Sequence, residues 1–296
     1  MNKVDEPHVR QAVQAFSSRF GAEATARPAY FEGRILYMEF LGHMCATCGV
    51  ADYLDDFVQE LEEASGKPYA VWEYAPCASQ ESCLIVKIAK LDFLGEIRDA
   101  MEKVGSTVKQ RIQQFQETGK DEESLFSELC FCILTANFRA DAGIRIQEAV
   151  GEGFCSLGKG PLAGRLRSLG HRFPETRAGY IVESRGLRGK LGNIVGSFVN
   201  GVDAREWLVN NVKGLGYKEA SHFLRNTGVL DVAIIDRHIL RFLLDKQLIT
   251  EIPKSLNRRK YFEIERLLSC IATKLGSTLG ELDLYIWSLR TGKVLK

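Results

Sequence analysis

Val212-Lys213-Gly214-Leu215-Gly216-Tyr217-Lys218-Glu219-Ala220, with Asp236 eighteen residues beyond Lys218, decides how this chain is read. Two glycines separated by one apolar residue mark a tight turn. Glycine tolerates close backbone approach and dihedrals that other residues avoid. The helix that follows presents N-terminal amides, and its dipole favours an anion such as a phosphate. The frame Val212-x-Gly-Leu-Gly-x-x-x-Ala220 also puts a small residue in the second helix, so two helices can pack across the turn. An amine held beside a carboxylate, next to a phosphate clamp, is equipment for attacking a sugar carbon.

The rest of the chain bounds that reading. Its 296 residues suffice for two domains, and 45% apolar with 26% charged residues is ordinary for a soluble globular protein. The net charge of +1 hides an asymmetry: residues 1–95 carry 8 Lys+Arg against 14 Asp+Glu, and residues 96–296 carry 31 against 24. The C-terminal two thirds therefore suit a polyanion weakly, and the N-terminal third does not. Met1-Asn2-Lys3-Val4-Asp5-Glu6-Pro7 has no apolar core of a signal peptide, and no apolar run approaches the ~18 residues of a membrane span. A cytoplasmic monomer is the expectation. Eight cysteines in a chain of this size without a secretory signal argue against a disulfide scaffold.

Periodicity separates two textures. Residues 8–20 and 49–64 read as amphipathic helices, while 30–40, 69–74 and 84–91 read as strands. This predicts a small α+β domain over 1–95. From about residue 96 the signal is helical, with segments near 96–118, 122–136, 139–150, 161–169, 175–184, 187–199, 203–211, 218–227, 235–246, 257–275 and 279–290. Short Gly, Pro or Asn breaks separate most of them, predicting a compact all-α domain over 96–296.

The frame around Gly214 and Gly216 is that of a helix-hairpin-helix. Four further blocks accompany it: Phe131-Cys132-Ile133-Leu134-Thr135-Ala136-Asn137-Phe138, Leu169-Gly170-His171-Arg172-Phe173, Ile235-Asp236-Arg237-His238-Ile239-Leu240, and Trp287 with Thr291-Gly292-Lys293-Val294-Leu295-Lys296. With these, residues from about 122 to 296 resemble the helix-hairpin-helix superfamily of DNA glycosylases, in particular the archaeal-type 8-oxoguanine DNA glycosylase/lyases, the second family of that activity. The resemblance implies an all-α glycosylase domain acting in base-excision repair on double-stranded DNA containing 8-oxoguanine. It assigns the nucleophile to Lys218 and the catalytic carboxylate to Asp236, and implies that Trp287 and Lys296 help distinguish the lesion from guanine.

The chemistry can be stated from the residues alone. A lysine attacks a sugar only as a neutral amine, so the site must lower its pKa or remove a proton. Asp236 can stabilise positive charge developing on the sugar and assist proton transfer. The imine left after base departure permits β-elimination and strand cleavage. Each residue has a plainer reading: Lys218 as a solvated charge or phosphate contact, Asp236 as an N-cap, Trp287 as a buried helix residue, Lys296 as a frayed end. A non-catalytic DNA-binding hairpin module and a glycosylase for another damaged base, or one using water, are the rival functions.

Other candidates follow. Arg237 and His238 can approach phosphates or simply form a solvated helix face, as can Arg241. Asn137 and Phe138 are candidates to fill the gap that a flipped base leaves, with core packing the other reading of Phe138. Hairpins of this superfamily often hold a monovalent cation, which here would involve the carbonyls of Asn210, Val212 and Leu215; no other cofactor is required. An iron–sulfur cluster would need four closely spaced cysteines after Asp236, and only Cys270 follows it. Cys45-Ala46-Thr47-Cys48 with Cys77 and Cys83 can form a zinc site, with His43 a further ligand, or a redox pair at a helix N-terminus, or four half-buried small residues.

Overall fold

The computed structural model describes residues 6–21, 23–78 and 82–296. Among these, four strands and fourteen α-helices follow the order α1 Pro7–Phe20, β1 Thr25–Glu32, β2 Ile35–Leu41, α2 Val50–Ser65, β3 Tyr69–Pro76, β4 Cys83–Lys90, α3 Leu94–Thr118, α4 Glu122–Thr135, α5 Ala140–Val150, α6 Gly153–Ser156, α7 Lys159–Ser168, α8 Pro174–Ser184, α9 Leu191–Gly196, α10 Gly201–Asn211, α11 Tyr217–Asn226, α12 Arg237–Asp245, α13 Arg258–Leu275 and α14 Leu279–Thr291. An α+β N-terminal part is followed by a helix-rich remainder that contains the hairpin, as the sequence implies. The single strand expected over 30–40 is instead a hairpin, broken at Gly33, whose φ of +59° few other residues adopt.

Packing divides the chain into two compact units: one runs to Ala100 and includes Arg237–Ser277, and the other is Met101–Asp236 with Thr278–Lys296. A division at residue 95/96 assigns α12 and α13 differently. The reason lies in the antiparallel sheet, of order β1-β2-β4-β3, which has two faces to cover. Leu36, Met38 and Phe40 on β2 alternate with Tyr37 and Glu39, and with Leu84, Val86 and Ile88 on β4 they form one buried face. The amphipathic helices α1 and α2 close it, with the rings of Phe16, Phe40 and Phe57 meeting edge-on at 5.2–5.7 Å. Each such phenylalanine contributes about 1.5–3 kcal/mol by burial.

The second face carries Ile35 and Trp72, both buried, and α13 packs against β3 there. The indole Nε1 of Trp72 donates to the Glu263 carbonyl at 2.9 Å, and Cys270 Sγ to that of Val71 at 3.1 Å. At the β1–β2 turn the Arg34 amide donates to Gln247 O at 2.9 Å, and its guanidinium reaches Lys246 O and Asp92.

The second unit is built around α4. Residues Leu125–Thr135 of this helix, save Ser127, are buried, so it is apolar on all sides, as expected of a helix enclosed by others. Its N-cap Asp121 accepts the Ser124 amide at 2.8 Å. Glu128 is the one charged side chain in the buried run.

Candidate active site

The hairpin joins α10 to α11. Val212 ends α10, and Leu215, 6% exposed, packs into the core of this unit beside it. Gly214 has φ +92°, and a Cβ there would lie 2.5 Å from the Tyr180 ring, so both conformation and space require glycine. Gly216 precedes α11, and Ala220 is fully buried where the two helices approach. Glu219 Oε2 accepts the Gly216 amide at 3.2 Å, so this amide already has a partner. Behind the turn, Tyr217 OH donates to Glu206, and the fully buried Arg205 donates to Ser221 Oγ at 3.1 Å.

Lys218 stands in the first turn of α11, its side chain 28% exposed and its Nζ 3.8 Å from Glu219 Oε1. Asp236 is half-buried, at the end of the buried segment Val232–Ile235 and directly before α12. The helical reading of residues 235 and 236 is therefore corrected: α12 begins at Arg237.

Both groups act on a third, Asp283 of α14, which sequence reading missed. Burial raises the Asp283 carboxyl pKa to about 7; the Arg225 charge opposes the rise, Asp236 adds to it and Lys218 opposes it. Arg225 Nη1 donates to Asp283 at 2.9 Å, with both side chains buried. Asp283 thus pairs directly with Arg225 and lies within reach of the Asp236 and Lys218 charges, although it is 47 residues from Asp236 in the chain.

A second cluster gathers around Lys296. Its Nζ donates to Glu128 Oε2 at 2.8 Å and to Gln147 Oε1 at 2.6 Å, and lies 4.3 Å from the Phe131 ring centroid. Glu128 Oε1 accepts Asn226 Nδ2 at 2.6 Å. His222 stands edge-on to Phe131 at 5.5 Å, and burial, aided by the Arg225, Lys218 and Lys296 charges, holds its pKa well below the ordinary imidazole value, so the ring is neutral. Trp287 is half-buried in α14, where its carbonyl accepts the Thr291 hydroxyl at 2.8 Å and shapes the turn towards Lys296. The sequence signal for Glu128 was a lone charge inside an apolar helix.

Asn137 is exposed with φ +58°, just past the end of α4. Phe138, half-buried, packs tilted against His171 with ring centroids 4.3 Å apart, and His171 hydrogen-bonds Leu134 O at 3.0 Å; Arg177 Nη2 caps the Ala136 carbonyl at 2.8 Å. Phe138 is therefore part of the packing that fixes this corner, and Asn137 is the side chain left projecting. Arg237 and Arg241 are exposed and His238 half-buried, all on α12 in the other unit.

The zinc arrangement of Cys45, Cys48, Cys77 and Cys83 is not formed. Cys77 and Cys83 are disulfide-bonded across the β3–β4 hairpin, so neither offers a thiolate to a metal, and the other six cysteines are free. Cys45 Sγ bonds the Phe40 carbonyl, and Cys48 is exposed. Among the described residues no three His, Cys, Asp or Glu side chains are placed to hold a metal, so His43 adds none. At the hairpin, the Val212 carbonyl accepts the Leu215 amide at 3.3 Å, which leaves a lone pair, and neutral carbonyl oxygens are donors suited to an alkali-metal ion.

Comparison with known proteins agrees with this geometry. A family profile described as 8-oxoguanine DNA glycosylase matches residues 108–277. The chain belongs to the 8-oxoguanine DNA glycosylase family. A relative from Methanocaldococcus jannaschii, an 8-oxoguanine DNA glycosylase/AP lyase, is 55% identical over 214 residues, covering 72% of this chain and 99% of its own length. One of the same description from Thermotoga maritima is 47% identical over 207 residues, covering 69% and 99%. The crystal structure of the M. jannaschii enzyme with a 15mer DNA containing 8-oxoguanine matches at TM-score 0.67 and 53% identity, covering 69% of this chain and 99% of that one. The remaining part of this member of the family has no counterpart in those proteins. Among the described residues, no helix is long and apolar enough to cross a membrane.

Proposed function

We propose that this protein excises 8-oxoguanine from double-stranded DNA and cleaves the resulting abasic strand. The observation that carries the reading is the position of Lys218, one residue into the helix beyond the Gly214–Gly216 turn, with its charge and that of Asp236 converging on buried Asp283. The hairpin holds the backbone while the target nucleotide is flipped out. The neutral amine of Lys218 attacks C1′ as the C1′–N9 bond breaks, and the departing base takes the bonding pair and then a proton. Asp236 stabilises the positive charge that grows on the sugar. Loss of a proton from nitrogen and opening of the sugar give an imine. Removal of a C2′ proton then expels the 3′ phosphate, completing β-elimination.

Lys296 and Trp287 serve lesion discrimination in this reading, Asn137 enters the vacated stack, and Arg237 and His238 contact phosphates. A monovalent cation on the Asn210, Val212 and Leu215 carbonyls would add positive charge beside the bound phosphate. The enzyme acts as a monomer, every proposed group coming from one chain, and in the cytoplasm with its DNA. Product analysis on duplexes carrying single lesions tests this: free 8-oxoguanine together with a nicked strand is expected. Release of the base without a nick would favour hydrolysis by water, and faster release of another damaged base would reassign the substrate.

A further inference from the structure

We infer that Glu128 is a positioning residue for lesion recognition, acting through Lys296; this rests on the proposed excision of 8-oxoguanine. Glu128 is 4% exposed in the middle of α4, where a carboxylate is costly unless paired. Its oxygens are both engaged: Oε1 takes Asn226 Nδ2 at 2.6 Å, and Oε2 takes Lys296 Nζ at 2.8 Å with Gln147 Nε2 more distant at 3.4 Å. Gln147 closes the cradle, receiving Lys296 Nζ on Oε1 at 2.6 Å while its amide is held by Ser127 O and Oγ at 3.0 Å each. The Phe131 ring lies against the same ammonium, at 4.3 Å.

Lysine is among the most conformationally free side chains, and order at its head must come from outside it. Here α4, α5 and α11 each supply one polar group to the cradle, through Glu128, Gln147 and Asn226. The ammonium is consumed in holding its own residue, so Lys296 meets the base as a fixed wall instead of a mobile cation. Glu128 touches neither base nor sugar in this scheme. Its contribution is that Lys296 has one position.

An abasic site has no base to recognise but still requires Lys218, and this separates positioning from general damage to the fold. Glu128→Gln keeps the shape and the Asn226 contact while removing the charge that holds Lys296. The expected result is a fall in kcat/KM on an 8-oxoguanine duplex of about tenfold to a hundredfold, the scale of a ~1 Å misplacement, with cleavage of a preformed abasic duplex unchanged. Lys296→Met added to Glu128→Gln should produce little further loss, since the two act as one unit. Equal falls on both substrates, no fall on either, or additive losses overturn the inference. If Glu128→Gln does not fold, Gln147→Leu, at a half-buried position, is read in the same way. Wild-type protein that leaves 8-oxoguanine in place would instead refute the proposed function.

Discussion

Arg225 and Asp283 form an ion pair with both side chains buried, Nη1 to Oδ2 at 2.9 Å, and it stands within the fields of Lys218 and Asp236. Its titration gives a signed prediction. Burial raises the folded pKa of Asp283 to about 7, above the value of about 3.9 for an unfolded aspartate. The folded state therefore holds this proton more tightly. The stability it contributes is fully present below about pH 4 and is lost as pH rises through 7. Asp283→Asn should flatten the pH dependence of the denaturation midpoint across that window relative to wild type. Parallel profiles for the two proteins would show that Asp283 does not titrate there.

Gly214→Ala should damage the hairpin. The change forces φ +92° on a residue with a Cβ and drives that Cβ to 2.5 Å from Tyr180. A cost of about 1–3 kcal/mol is expected, and weaker binding to a duplex with an abasic analogue. Thermal unfolding and a binding titration check both, and an unchanged affinity would remove the turn from DNA contact.

Trp72→Phe tests the packing of the N-terminal sheet on α13. It leaves the Glu263 carbonyl without its 2.9 Å donor, at a cost of about 1–3 kcal/mol. Urea denaturation measures it. A negligible change would mean that the indole bond adds nothing to this unit.

The cysteines can be counted. With Cys77 and Cys83 paired, titration of the denatured, unreduced protein should find six thiols, rising to eight after reduction. Stoichiometric zinc that disappears on changing Cys45 and Cys48 would contradict this assignment.

What could be read in advance follows from how local each signal is. The hairpin glycines, Lys218 and Asp236 lie in short frames whose meaning is set by neighbours in sequence, and most helices announced themselves by periodicity. The β1–β2 turn at Gly33 was missed because apolar residues continue on both sides of it. Asp283 and Glu128 were missed for a different reason. Each sits in an apolar helix where a carboxylate has no local partner, and each is satisfied from afar, by Arg225 across 58 residues and by Lys296 across 168. The affiliation of α12 and α13 with the sheet was hidden likewise, since it depends on a second sheet face that only the register reveals.

The assignment of Lys218 as nucleophile can be tested by trapping. Reducing the reaction mixture with borohydride on a duplex containing 8-oxoguanine traps the imine as a covalent protein–DNA adduct. Wild-type protein should give the adduct, Asp236→Asn much less of it and Lys218→Gln none. An adduct that persists in Lys218→Gln, or its absence from wild-type protein that still binds the duplex, would contradict it.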